Sequence, residues 1–244
     1  MTARDLAKTL IPAIVPVKDL SEVKTRLASA LDANQRRQLV LAMLSDLLHA
    51  LRQCRIVGRI LLVSRDPSVA ELAHSLDTDL LNSREDNGLN SAIDAALSEL
   101  IDRGETQALV LHADLPLASA DGLAKLIEEG RHADLALVPC NDKDGSNALL
   151  TRLPPRINFH YGPGSYQQHL AEAHKQGLEV AQPDLPELAL DIDTVADLGQ
   201  LCRILLAETH DSAHYTDQFL RSTGLLNKLL QEGLAPVPVS KIRA

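Results

Sequence analysis

The sequence has no tryptophan, two phenylalanines and three tyrosines in 244 residues. Three of those five rings, Phe159, Tyr161 and Tyr166, are crowded together, which marks either a local packing knot or a pocket wall. Basic residues are in deficit. A formal charge of −9 and the lack of any basic run leave little attraction for nucleic-acid phosphates, so a nucleic-acid partner is not expected. Cysteine is scarce: Cys54, Cys140 and Cys202 are odd in number, far apart and in no C-x-x-C spacing. That excludes a disulfide framework and a thiolate zinc site, and makes them buried small apolar residues. Neither H-x-x-x-H nor H-E-x-x-H occurs, so His112, His160 and His169 read as structural or supporting histidines. A G-x-S-x-G elbow is also missing, which removes support for a serine hydrolase. No apolar run approaches the roughly 20 residues that span a bilayer. The opening MTARDLAKTL lacks a secretory hydrophobic core. The expectation is a cytoplasmic protein with no membrane partner.

What is present is an ordinary globular composition, 45% hydrophobic and 23% charged, at a length suited to one large α/β domain. Short β-rich runs (IPAIVPV at 11–17, RILLVS at 59–64, ALVLHA at 108–113, LALVPC at 135–140) alternate with amphipathic segments. From Ala33 to Cys54, Leu39, Met43, Leu47 and Leu51 form one i,i+4 row and Val40, Leu44 and Leu48 another, which predicts a helix with a broad buried face. Further helices are predicted over 89–103 and 119–131. This alternation predicts a Rossmann-like, mostly parallel sheet with helices on both faces. Such sheets bind ligands beyond the carboxyl ends of their strands, a rule that singles out Lys18, Ser64, Asp66 and Asp114. After residue 140 the texture changes, and NDKDGSNALL and HYGPGSY predict an inserted β-hairpin flap. A helix over 165–176, a strand at 189–193, a helix opening near Thr194 and a helical stretch over 211–233 follow; the end, APVPVSKIRA, reads as extended or mobile.

Asp114 follows an apolar strand and precedes Leu115 and Pro116, which turn the chain. Alone it could serve only the turn amides. Asp191 and Asp193 change that reading, because two residues apart in an extended segment they project from one face. Like charges so placed repel unless a cation lies between them. Magnesium, which is held by one or two carboxylates and substrate phosphates, is the natural partner, with Thr194 left to cap the following helix. Lys18, Lys24 and Arg26 lie in VPVKDLSEVKTRL, a loop able to hold a triphosphate and stabilise departing pyrophosphate. It has no glycine-rich phosphate cradle, so phosphate binding there needs side chains. Its simpler reading is a solvated helix start. In NSREDNGLNSA, Glu85 is the candidate reader of guanine N1–H and its exocyclic amine, with Asp86 and Asn90 beside it and helix capping by Asn87 or Asn90 as the alternative. DGSNALL and GPGS offer hydroxyls, an amide and glycine N–H groups near the start of a helix, a setting suited to an anionic acceptor or to a tight turn.

Taken in order, VPVKDLSEVKTRL, EDNGLNSA, HADLPL, DGSNALL, YGPGSYQQH and LDIDT resemble the phospholactate guanylyltransferase family of coenzyme F-420 biosynthesis, a branch of the MobA-like nucleotidyltransferases. The resemblance covers nearly the whole chain up to about residue 200. It implies a nucleotide-diphospho-sugar transferase type of fold, GTP as donor and magnesium held by Asp114, Asp191 and Asp193. The acceptor would be 2-phospho-L-lactate, phosphoenolpyruvate or 3-phospho-D-glycerate, and a downstream transferase would take the product. The candidate nucleotide contacts are Pro16, Val17, Lys18, Ser64, Glu85, Leu89, Asn90 and Ala113. By the same resemblance the acceptor meets Asn147, Gly162 and Ser165, with Ser146 and Gly164 beside them. Residues 1–207 then form the transferase domain, and 208–244 a helical extension and tail compatible with a packing helix or a homodimer contact. Two readings compete: another nucleotide or acceptor, as in a cytidylyltransferase or molybdopterin guanylyltransferase, and a non-catalytic nucleotide-binding protein.

Overall fold

The computed structural model describes residues 10–82, 88–207 and 212–231. Its apolar runs form one seven-stranded sheet made of β1 (Ile11–Pro16), β2 (Val57–Ser64), β3 (Asp79–Asn82), β4 (Gln107–Leu111), β5 (Leu135–Pro139), β6 (Ser146–Arg152) and β7 (Val180–Ala181). The spatial order is β3-β2-β1-β4-β6-β5-β7. Pairings around β1, and those of β2 with β3 and β5 with β7, are parallel. Only β6 is reversed, antiparallel to both β4 and β5. The expected hairpin therefore forms as β5–β6, but its second strand lies inside the sheet instead of folding over it as a flap. The reason is in the residues: Ala148, Leu149 and Leu150 are all buried, so β6 has two faces to cover and needs a neighbour on each side.

Strand periodicity divides the core into two layers. Ala13, Val15, Leu109, Leu111, Ala148 and Leu150 belong to one cluster, and Ile14, Ala108, Val110 and Leu149 to the other. The first layer is covered by α1 (Ala33–Gln53), α2 (Pro67–Ser75), α4 (Ala120–Gly130), the one-turn α6 (Pro186–Ala189), α7 (Val195–Ala207), α8 (His214–Ser222) and α9 (Leu225–Gln231). The second is covered by α3 (Gly88–Asp102) and α5 (Ser165–Lys175). Helix α1 starts with a capping box between Asp32 and Gln35, and all seven residues of its two apolar rows are buried. The predicted helical stretch at the C-terminus is two short helices, broken at Gly224, whose φ of +70° suits glycine. Its N-terminus is held by a buried carboxylate: Asp46 of α1 accepts from Tyr215 N at 2.8 Å, Thr216 N at 2.9 Å and Thr216 Oγ1 at 2.6 Å.

The segment 190–193 is not a strand. It follows α6 and is docked by the Asn147 amide, whose Nδ2 donates to the Leu188 and Ala189 carbonyls at 3.1 Å each and to Asp191 Oδ1 at 3.2 Å, while Ile192 N donates to the Asp114 carbonyl at 3.3 Å. The alternation survives without the ladder: Leu190 and Ile192 are buried, and Asp191 and Asp193 are half-exposed.

Candidate active site

A long cleft opens beyond the carboxyl ends of β1 and β4, where the chain's strand order changes direction. Three acidic side chains meet there. Asp114 comes from the turn after β4, and Asp191 and Asp193 from the docked segment, each with a carboxylate oxygen within 4.8 Å of the others'. Asp114 Oδ1 is buried without a hydrogen-bond partner. An all-oxygen donor set with an unsatisfied carboxylate oxygen suits a hard divalent cation such as magnesium, so these residues fit the implied metal. Thr194 caps α7, as expected, its hydroxyl accepting from Asp197 N at 3.3 Å while Asp197 accepts from Thr194 N at 2.7 Å. That leaves Asp191 and Asp193 free of capping duty.

The opposing charge is Lys24. Its ammonium is bonded to Asp114 Oδ2 and, at 2.5 Å, to Asp193 Oδ1, with the side chain only 8% exposed. Burial opposes its charge, but the Asp114 and Asp193 carboxylates outweigh it and hold the ammonium well above the ordinary lysine range. The same balance acts on Asp114: burial would raise its carboxyl, and Lys24 holds it below the usual value. Asp191 goes the other way, pushed up to about 6 by burial and by the Asp114 charge, against the hydrogen bond from Asn147. Lys24 adopts a left-handed backbone with φ of +51°, uncommon for a residue with a Cβ and found where surrounding structure enforces it. The enforcing contacts are buried Asp66, which accepts from Leu20 N at 3.0 Å, and Arg36, which donates to the Val23 and Leu31 carbonyls at 3.0 Å each. Asp66 also caps α2 through Ser68 N at 2.8 Å. Its work is therefore structural.

Lys18 and Arg26 are exposed and line the cleft with Lys24, so the three cations expected in this loop share one wall. Pro16, Val17, Leu89, Asn90 and Ala113 line it too. Ser64 lies in a smaller adjoining pocket, its hydroxyl accepting from Asp66 N at 3.1 Å. Glu85, with Asp86 and Asn87, lies outside the described residues. Asn147, Gly162 and Ser165 also border the cleft. Ser165 is the first residue of α5 behind Gly164, whose φ is +71° and whose N–H donates to Asp144 Oδ1 at 3.0 Å. Ser146, expected beside the acceptor, is fully buried and turned away, its hydroxyl 3.0 Å from His169 Nδ1. His169 Nε2 accepts from His160 N at 3.0 Å, and burial holds the ring down to about 4. The ring is therefore a neutral crosslink between α5, β6 and the segment that carries Tyr161.

A comparison with protein families matches residues 11–233 to the family described as guanylyl transferase CofC like. The chain belongs to this family. Among curated relatives, the phosphoenolpyruvate guanylyltransferase of Sphaerobacter thermophilus is 38% identical over 189 residues, 78% of this chain and 91% of its own. The 2-phospho-L-lactate guanylyltransferase of Methanothermobacter thermautotrophicus is 33% identical over 78% of this chain and 82% of its own. Among solved structures, a protein assigned as a nucleotide-diphospho-sugar transferase from Desulfovibrio desulfuricans superposes with a TM-score of 0.72 at 20% identity, covering 90% of this chain and 96% of that one, which shows the shared fold. This member of the CofC-like family is thus a nucleotidyltransferase with an α/β, Rossmann-like fold. Among the described residues no helix is long and apolar enough to cross a membrane.

One lining residue, Cys140, lies outside the family motifs, and two inside them, His112 and Tyr161, carry no assigned role there. Cys54 and Cys202 are buried as expected, but Cys140 is at the cleft, where its thiol donates to Asp142 Oδ1 at 2.9 Å and accepts from Gly145 N at 2.8 Å, fastening the β5–β6 turn. A free cysteine in a β-rich run reads as core; only the turn geometry reveals the difference. The aromatic cluster is both knot and wall: Phe159 and Tyr166 belong to the second core layer, while Tyr161 also borders the cleft. His112 borders it as well, kept below the ordinary imidazole range by burial and hence neutral.

Proposed function

We propose that this protein transfers GMP from GTP to a small phosphorylated three-carbon acid, releasing pyrophosphate, in coenzyme F-420 biosynthesis. The acceptor class is 2-phospho-L-lactate, phosphoenolpyruvate or 3-phospho-D-glycerate, in keeping with the named activities of the relatives. One observation carries the reading: three carboxylates from segments nearly eighty residues apart converge in the cleft that Lys18, Lys24 and Arg26 also line. A magnesium ion held by Asp114, Asp191 and Asp193 would supply neutralisation of the phosphates. The chain's own residues do the rest. Lys18 and Arg26, both solvent-facing, meet the triphosphate and the departing pyrophosphate. Asn147, Gly162 and Ser165 receive the acceptor, placing its phosphate oxygen for in-line attack on the α-phosphorus. That oxygen is already an anion, so the reaction needs no catalytic base, and the protein contributes position and charge.

The test is a panel of four nucleoside triphosphates against the three acids with magnesium, scored by pyrophosphate release and product mass. Turnover with GTP and one of the acids, giving a GDP-linked product, is expected. Preference for CTP, or nucleotide binding without pyrophosphate release, would overturn the proposal.

A further inference from the structure

Two buried polar atoms in residues of the cleft have no hydrogen-bond partner: the Tyr161 hydroxyl and His112 Nε2. Their ring centroids are 5.3 Å apart, and both residues belong to the cleft lining. Each is fixed from behind. Asn90 accepts from Tyr161 N at 2.9 Å and donates to its carbonyl at 3.4 Å, Phe159 stacks on the ring at 6.2 Å, and His169 meets it edge-on at 5.3 Å. His112 N donates to the Asn147 carbonyl at 3.0 Å. Tyr161 is thus held by backbone and ring, and His112 by its backbone and by the Tyr161 ring. A buried polar group left unmatched is costly, and a native fold that keeps two of them on adjacent rings has a reason to.

Their position supplies the reason. His112 stands two residues before Asp114 and bonds the Asn147 backbone, and Tyr161 directly precedes Gly162, so the pair lines the same cleft as the acidic cluster and the candidate acceptor residues. A small phospho-acid with its phosphate toward the nucleotide presents its other end here. Two neighbouring groups able to donate, a phenol and an imidazole whose Nε2 has no partner in the protein, match a group that only accepts, and a carboxylate is such a group. We propose that Tyr161 and His112 are specificity-determining residues that clamp the carboxylate of the acceptor. This rests on the guanylyl-transfer reading above and names the part of the acceptor that is recognised.

The experiment compares the wild-type protein with Tyr161→Phe, His112→Leu and His112→Gln, measuring the KM for GTP and for 2-phospho-L-lactate, phosphoenolpyruvate and 3-phospho-D-glycerate. Glycerol 3-phosphate serves as the counterpart lacking a carboxylate. Tyr161→Phe and His112→Leu should raise the KM of the preferred acid at least tenfold, leave the KM for GTP unchanged and erase the preference over glycerol 3-phosphate. His112→Gln, which retains an N–H, should recover much of the affinity. The Tyr161→Phe thermal midpoint should stay level or rise, because an unmatched hydroxyl has been removed. With no tryptophan in the chain, tyrosine emission gives a second readout: the acid should change it in the wild type and not in Tyr161→Phe. An unchanged acceptor KM with an unchanged emission response would overturn the clamp and leave the pair as the seat of a structural water. A wild type inactive on all three acids would refute the guanylyl-transfer reading itself, a different outcome from an active wild type matched by its variants.

Discussion

Lys24 balances two carboxylates with one ammonium while its own backbone sits in a left-handed conformation, and the chain arranges Asp66 and Arg36 to keep it there. Replacing Asp114 by Asn removes one of those charges and a cation ligand while preserving shape. Pyrophosphate release should fall by a factor of about 100 or more, the scale seen when a charge-stabilising group is removed from an active site, with little change in thermal midpoint because Lys24 keeps Asp193. Near-normal release would take Asp114 out of the mechanism. The three aspartates were legible in the sequence for physical reasons: a carboxylate after an apolar strand stands at the sheet edge, and a spacing of two in an extended segment puts Asp191 and Asp193 on one side. The bridge made by Lys24 was not, because its partners lie 90 and 169 residues away and no local pattern links them. Ser146 misled for the converse reason. A serine inside a family motif looks available, and only the packing of α5 on β6 shows its hydroxyl committed to His169.

Among the elements, strands and helices with strong periodicity were legible nearly to their ends, as α1 shows with its cap and two buried rows. Segment 190–193 was not, since alternation alone cannot distinguish a strand in a ladder from an extended stretch docked by a single amide such as Asn147. The direction and placement of β6 were equally hidden: a buried run reads the same in either direction. The contact of α8 with α1 gives a test at this scale. Asp46→Ala removes a carboxylate that satisfies two backbone donors and a hydroxyl at the N-terminus of α8. Hydrogen bonds to a charged group contribute about 1.5–3 kcal/mol, so the thermal midpoint should drop by several degrees, and Asp46→Asn should cost less. An unaltered midpoint in Asp46→Ala would show that the carboxylate does not anchor the C-terminal helices.

For the whole molecule, one apolar cluster runs from Ile11 on the first strand to Leu229 on the last helix, so the C-terminal helices share the main core. Calorimetry should therefore give a single transition with matching van't Hoff and calorimetric enthalpies; a separate low-temperature step would show the helices melting alone. Stability should also depend on pH through His169. Its folded value of about 4 lies below the unfolded 6.5, so between those values the unfolded chain binds the additional proton. The contribution is complete above about pH 6.5, declines as pH falls toward about 4 and levels off below that. His169→Gln should flatten the slope in this window, and identical slopes would exclude the assignment. The lone reversed strand has a consequence for how this architecture diversifies. Because β6 runs against its neighbours, it brings its first residues, Ser146 and Asn147, to the edge where the parallel strands bring their last. The turn before it, fastened by Cys140 and Gly145, lines the cleft together with Asn147. On the proposed function, changes in the length of that turn would alter the cleft next to Asn147 without touching the parallel strands.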